Sequence, residues 1–316
     1  MTLTAPLPTD VEEQAPPTAG EATEVRRGGW FVRIVILVVV ALWLVPTLGV
    51  LVTSFRPELE VDNTGWWTAV GHLFDSGQWT LQNYRDALDA GGFENAFLNS
   101  LAVTIPATVM PITIAAFAAY AFSWMEFRGR YVMFVAVVAL LVVPLQMALI
   151  PILRLYSGGA NLGGVPIFPD LDLNGTFLGI WLAHTAFGLP LAVYLLRNFI
   201  GSLPSSIIES ARVDGADHFT IFWRLVVPLS VPALAAFAIF QFLWVWNDLL
   251  VARIFLGATE ENRVLTLALQ TLNGARGEDW HLLTSAAFIS MILPLLVFFS
   301  LQRYFIRGLT AGAVKG

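Results

Sequence analysis

The 316-residue chain contains no cysteine, which excludes disulfide staples, thiol catalysis and thiolate-held metal. Charge is scarce as well: 13% of residues are Asp, Glu, Lys or Arg, against roughly a quarter in a soluble domain. The net charge of -6 leaves no basic face for a nucleic acid, so none is expected as a partner. No GxxxxGK[ST] loop is present, so the chain does not itself cradle ATP phosphates. HExxH and GxSxG are missing too, and His72, His184, His218 and His281 are not paired at metal-ligand spacing. The expectation is a chain with no catalytic residues, no metal and no cofactor.

What the sequence has is apolar length. Apolar residues make up 57%, and mean hydropathy is +0.71. At about 20 residues per crossing, six helices would use roughly 120 residues. Six runs stand out: Trp30–Thr53, Leu98–Trp124, Tyr131–Tyr156, Phe177–Leu196, Pro228–Ala252 and Thr284–Tyr304. They predict an all-α, polytopic membrane protein with six transmembrane helices, its membrane domain covering residues 30–307. Pro106, Pro111, Pro144, Pro151, Pro190 and Pro294 fall in or beside these runs, where each can kink or begin a helix and free a carbonyl at membrane depth.

Basic residues prefer the cytoplasmic side. With both termini inside, the 17 divide as 11 inside, 5 outside and Arg154 near the outer end of the third helix, so both termini are expected to be cytoplasmic. Residues 1–29, rich in Pro, Thr, Ala and Glu, read as a disordered cytoplasmic tail and not as a secretory signal. Residues 308–316 read as a small, flexible cytoplasmic tail. The outer segments 55–97, 157–176 and 253–283 are substantial loops; inside, 125–130 is a tight connection, whereas 197–227 is long and patterned.

That inner loop draws attention to Pro204, Ser205 and Ser206, a helix start in which a hydroxyl can accept from a first-turn amide. Glu209 and Arg212 then share a helix face, and Gly215 can supply the left-handed residue that ends the helix. On helix propensity alone, an amphipathic linker at the membrane surface explains the pattern. The spacing Glu-x-Ala-x3-Gly, with Pro thirteen positions on, nevertheless resembles the EAA loop of binding-protein-dependent ABC importers. Glu209, Ala211, Gly215 and Pro228 match that pattern, Leu225 and Val227 replace its two aliphatics, and Ser210 stands for the first Ala.

From about residue 30 onward, the chain resembles the shorter membrane subunit of the maltose-permease class. Supporting stretches are Thr80–Leu88, Phe97–Ser100, Phe242–Leu249 and Gln302–Gly316; Asn174–Pro190 is most similar to alpha-glucoside permeases. The resemblance implies the type I ABC importer transmembrane fold in a bacterial cytoplasmic (inner) membrane. It also implies a second homologous permease subunit, a cytoplasmic ABC ATPase dimer and an extracytoplasmic sugar-binding protein as partners, alongside the lipid bilayer. A coupling helix bearing Glu209, Ser210, Ala211, Arg212, Asp214 and Gly215, with Pro228 after it, would dock on the ATPase. The C-terminal tail would reach the ATPase dimer, a frayed terminus being the plainer alternative.

Two further groups are singled out. His184, Asn247 and Asp248 are polar groups at membrane depth, candidates for a translocation path or gate. Asp248 at the interface with Trp244 and Trp246 as belt anchors, and His184 donating to a backbone carbonyl, are the plainer readings. Arg276, Glu278, Asp279 and Trp280 lie in the polar stretch Gln270–His281, which resembles the position of the loop that enters the binding protein's sugar cleft; a solvated turn is the alternative. An ion-coupled secondary transporter is the runner-up function, but few buried acids are present to hold a coupling ion.

Overall fold

The computed structural model describes residues 29–90, 92–257, 259–272 and 279–311, with side chains as far as Tyr304. The chain forms two units, divided between Leu48 and Gly49. In the first, the described residues begin helix α1 (Trp30–Ser54), and every one of them up to Leu48 is exposed. A helix apolar on all sides with mean hydropathy 2.9 suits a lipid environment.

In the second unit the outer segment 55–97 is folded instead of being a loop. It holds α2 (Glu58–Asn63), short 3-10 turns over Trp66–His72 and Ser76–Gln78, and α3 (Gln82–Asp89). Its centre is Arg56, 1% exposed, which donates to the carbonyls of Thr64 (3.3 Å) and Gly65 (3.0 Å) and meets Glu60 at 3.4 Å. Burial of a guanidinium is tolerated only when paired and hydrogen-bonded in this way.

The long α4 (Phe93–Trp124) begins before the expected Leu98. It packs against α7 (Phe177–Ile200) and α10 (Val227–Trp246) through buried Ala107, Ala115, Ala116 and Ala119, small residues that let helix backbones approach closely. Helix α7 begins at the expected Phe177, capped by Thr176, whose hydroxyl accepts the Gly179 N–H (3.0 Å), and runs on to Ile200 past the expected Leu196.

Three expectations are corrected. The third apolar run is a pair, α5 (Arg130–Ala139, continued by a 3-10 turn to Val142) and α6 (Leu145–Gly158), bent by 106°. Pro144 accounts for the break: it lacks an N–H and forces Val143 into an extended conformation. Residues 157–176, expected as a loop, contain a short antiparallel hairpin, β1 (Ala160–Leu162) and β2 (Val165–Phe168), within a fold that is otherwise helical as expected. The fifth run stops at Trp246; Leu250–Phe255 is a separate helix, α11.

The inner loop forms α8 (Ser205–Val213) and α9 (His218–Ile221), followed by a π-helical turn over Phe222–Val226 that leads into α10. After α11 come α12 (Leu265–Leu272) and α13 (Trp280–Ala311), the latter extending at both ends beyond the expected Thr284–Tyr304 and into the supposed C-terminal tail. Among the described residues, five helices are long and apolar enough to cross a membrane, or six spans if α5 and α6 count as one. Residues 1–28 and 312–316, parts of the two expected tails, lie outside the described residues.

Candidate functional site

The short helix expected in the inner loop is α8. No side-chain hydroxyl caps it; Pro204 precedes its first turn, where a missing N–H costs nothing. Its end follows the expected pattern. Gly215 has φ +82°, and the N–H groups of Gly215 and Ala216 reach back to the carbonyls of Arg212 (3.0 Å) and Ala211 (2.9 Å). Only a residue free of the Cβ penalty takes that conformation cheaply.

Ile208 is the buried anchor of α8, 1% exposed, and Ala211 is half-buried beside it. Glu209, Ser210, Arg212, Asp214, Gly215 and Pro228 are exposed. Arg212 does not pair with Glu209 as their spacing invited; its Nη2 donates to the Trp124 carbonyl at the end of α4 (2.9 Å). A second tie joins the same end of α4 to α9, where the Tyr120 hydroxyl and His218 Nδ1 share a hydrogen bond of 2.8 Å. Asp217 caps α9 by accepting the Thr220 N–H (2.8 Å), and the Thr220 hydrogen bonds hold its carboxyl below the usual carboxylate range. Val213 (87% exposed) at the end of α8, Phe219 (66%) on α9 and Trp223 (46%) in the π-helical turn present bare apolar surface. A groove of about 520 Å³ runs alongside, lined in part by Ser210, Asp214, Thr220 and Arg224. Neither the Tyr120–His218 bond nor the Arg212 tie was legible beforehand, because their partners are 98 and 88 residues apart.

The membrane-depth group is only partly gathered. His184 on α7 is fully buried and its Nε2 lies 3.7 Å from Asp248 Oδ2, too far for a direct hydrogen bond. No backbone carbonyl takes a proton from it. Asp248 instead caps α11, accepting from Val251 N (3.2 Å) and Ala252 N (2.8 Å). The two side chains share a cavity of about 10 Å³ with Ser100 and Thr104, room for about one water. Asn247 is exposed and donates to the Leu243 carbonyl (2.7 Å). Trp246 is no belt anchor: it is 3% exposed and stacks on Phe242 at 5.8 Å. Of the outer group, Arg276 and Glu278 lie outside the described residues. Asp279 is half-buried, and Trp280 opens α13 with its ring 52% exposed, so the expected loop Gln270–His281 ends in helix at both sides. Among the described residues no cluster of three or more His, Asp or Glu side chains suits a metal.

Residues 111–311 match the family described as binding-protein-dependent transport system inner membrane component. The osmoprotective compounds uptake permease protein GgtD of Synechocystis sp. is 56% identical, over 90% of this chain and 91% of its own. The alpha-glucoside transport system permease protein AglG of Rhizobium meliloti is 43% identical, over 91% of this chain and 97% of its own. In fold, the chain is similar to one from a bacterial ABC transporter involved in the import of the acidic polysaccharide alginate: TM-score 0.68 at 21% identity, covering 87% of this chain and 95% of that one. With a model match over most of its length and relatives aligned nearly end to end, the chain belongs to the family of inner membrane components of binding-protein-dependent transport systems.

Proposed function

We propose that this permease subunit forms half of the pore of an ATP-driven importer of alpha-glucosides or related oligosaccharides, and that α8 is the element through which a cytoplasmic ATPase dimer drives it. Similarity to the alpha-glucoside permease of Rhizobium meliloti supports the substrate class. The observation that carries the docking role is the state of α8: anchored from behind by Ile208 and Arg212, it leaves Glu209, Ser210 and Asp214 exposed, with bare Val213 at its end and the groove lined by Ile207, Ala211 and Leu225 alongside. Exposed apolar surface rimmed by polar groups marks a protein interface. A capped, tethered helix also transmits rigid-body motion without bending.

In this reading the second homologous permease completes the pore, and both termini lie in the cytoplasm. Asp279 and Trp280, with Arg276 and Glu278, meet the extracytoplasmic sugar-binding protein, and the C-terminal tail contacts the ATPase. His184, Asn247 and Asp248 stand near the outer mouth of the path. Coupling requires that ATP and the sugar-loaded binding protein both favour the same pore state. The test is a mild-detergent pull-down with a tag on the N-terminal tail, followed by an ATPase assay with candidate alpha-glucosides. Recovery of a second permease and an ATPase, with hydrolysis raised by one sugar plus its binding protein, supports the assignment. Recovery of this chain alone, with transport that needs an ion gradient, overturns it in favour of a secondary transporter.

A further inference from the structure

Two prolines inside α4 deprive the helix of hydrogen bonds, and each loss is met from another helix. Pro106 has no N–H to give the carbonyl of Ala102, four residues earlier, and the Trp181 indole Nε1 on α7 donates to that oxygen at 2.8 Å. Pro111 likewise frees the Ala107 carbonyl, and Gln241 Nε2 on α10 donates to it at 3.1 Å. The two carbonyls are five residues apart, about 140° around the helix, so their donors come from different neighbours. The device recurs in α13, where Pro294 frees the Ser290 carbonyl and Trp246 Nε1 takes it at 3.1 Å.

Both ends of α4 are tied to other segments. The inner end is held to the α8–α9 segment by Arg212 on the Trp124 carbonyl and by the Tyr120–His218 bond. At the outer end, Asn99 Nδ2 donates to the carbonyls of Glu261 (2.7 Å) and Arg263 (3.0 Å), and Ser100 Oγ accepts the Leu265 N–H (2.8 Å). One helix therefore joins the proposed ATPase-facing surface to the opposite end of the bundle. The two carbonyls freed by its prolines lie between those ties. A proline is where a helix bends, and a side-chain donor keeps the freed carbonyl satisfied whatever the bend angle.

We propose that Pro106 and Pro111 are paired hinges through which α4 carries motion from α8 to the outer face, with Trp181 and Gln241 as the positioning residues that hold the hinge carbonyls. The inference rests on the reading of α8 as the ATPase-driven element. It is tested on the assembled transporter in proteoliposomes by transport, ATP hydrolysis and thermal melting of Gln241→Leu, Trp181→Phe, Pro111→Ala and the double variant Pro111→Ala/Gln241→Leu.

Removing the Gln241 donor leaves the buried Ala107 carbonyl unpaired, and removing the Trp181 donor leaves the exposed Ala102 carbonyl unpaired at membrane depth, where no water replaces it; each is expected to lower the melting midpoint and cut transport about tenfold. Pro111→Ala restores the intrahelical bond. It should restore the melting of Gln241→Leu, yet alone lower transport turnover several-fold at unchanged KM, because the hinge is gone. A purely structural clamp predicts the opposite for Pro111→Ala: equal or greater stability with wild-type turnover. That result, or wild-type turnover in Gln241→Leu, overturns the proposal. A transport-independent arm separates this from failure of the functional reading. The chain has no native cysteine, so in a transporter whose other subunits are cysteine-free, spin labels on the exposed Glu94→Cys and Glu126→Cys report the two ends of α4. Their separation should change on adding ATP in the parent and not in Pro111→Ala; the same change in both overturns the hinge, whereas no change in the parent overturns the reading of α8 on which it rests.

Discussion

Among the described residues nothing pairs with the exposed Glu209 carboxylate, and the other side of its helix is locked down, so its substitution should disturb what docks there and not the fold. Glu209→Lys is expected to abolish sugar-stimulated ATP hydrolysis while membrane-inserted protein stays at the parental level; measurable stimulation would remove α8 from the coupling path. Asp217 gives a pH signature. Its folded pKa is depressed by the Thr220 bonds, so its support for α9 is present above the unfolded value of 3.8 and is lost as pH falls through the folded one. Exchange protection of the Thr220 amide should weaken below about pH 4, and Asp217→Asn should show no such step. At this scale the sequence is a good guide where a residue carries its own constraint. Gly215 was expected to supply the left-handed residue that ends α8, and it does, because backbone conformation there is dictated by the missing side chain. It is a poor guide to which donor finds a freed carbonyl: Trp181 and Gln241 lie 79 and 134 residues from their acceptors.

Between elements, the contact of α7 with α10 depends on an absent side chain. A Cβ on Gly188 would stand 2.6 Å from Gln241 Oε1, so Gly188→Ala must push the amide off its seat against Ala107. The melting midpoint is expected to drop by several degrees, and the drop should be smaller when Gln241→Ala is already present, since neighbouring sites do not add. Additive losses would mean that the glycine serves something else. Helices α4, α7 and α10 were legible from apolar length alone, with boundaries shifted by a few residues where a polar turn extends them, as at the start of α4 and the end of α7. The broken third span was not, because α5 and α6 together have the composition of one continuous crossing. The folded outer segment was missed for another reason: its organiser, Arg56, is a charged residue that sequence reasoning assigns to solvent.

For the molecule as a whole, the proposed orientation rests on charge asymmetry and is testable directly on the cysteine-free chain. Single cysteines at Val213 in α8 and Leu162 in the hairpin are both well exposed. An impermeant maleimide added to intact cells should label Leu162→Cys and spare Val213→Cys until the membrane is opened. The reverse pattern would invert the topology and remove α8 from reach of a cytoplasmic ATPase.

The proline-freed carbonyls also impose an order on biosynthesis. Helix α4 leaves the ribosome before α7 and well before α10, so the Ala102 and Ala107 oxygens enter the bilayer without their donors, at a cost on the order of a few kcal/mol each in hydrocarbon. Until Trp181 and Gln241 arrive, α4 is safest where water or the insertion machinery can solvate it. A nascent chain that stops short of α10 is therefore an incomplete membrane protein in a chemical sense, marked for quality control by an oxygen that nothing has yet claimed.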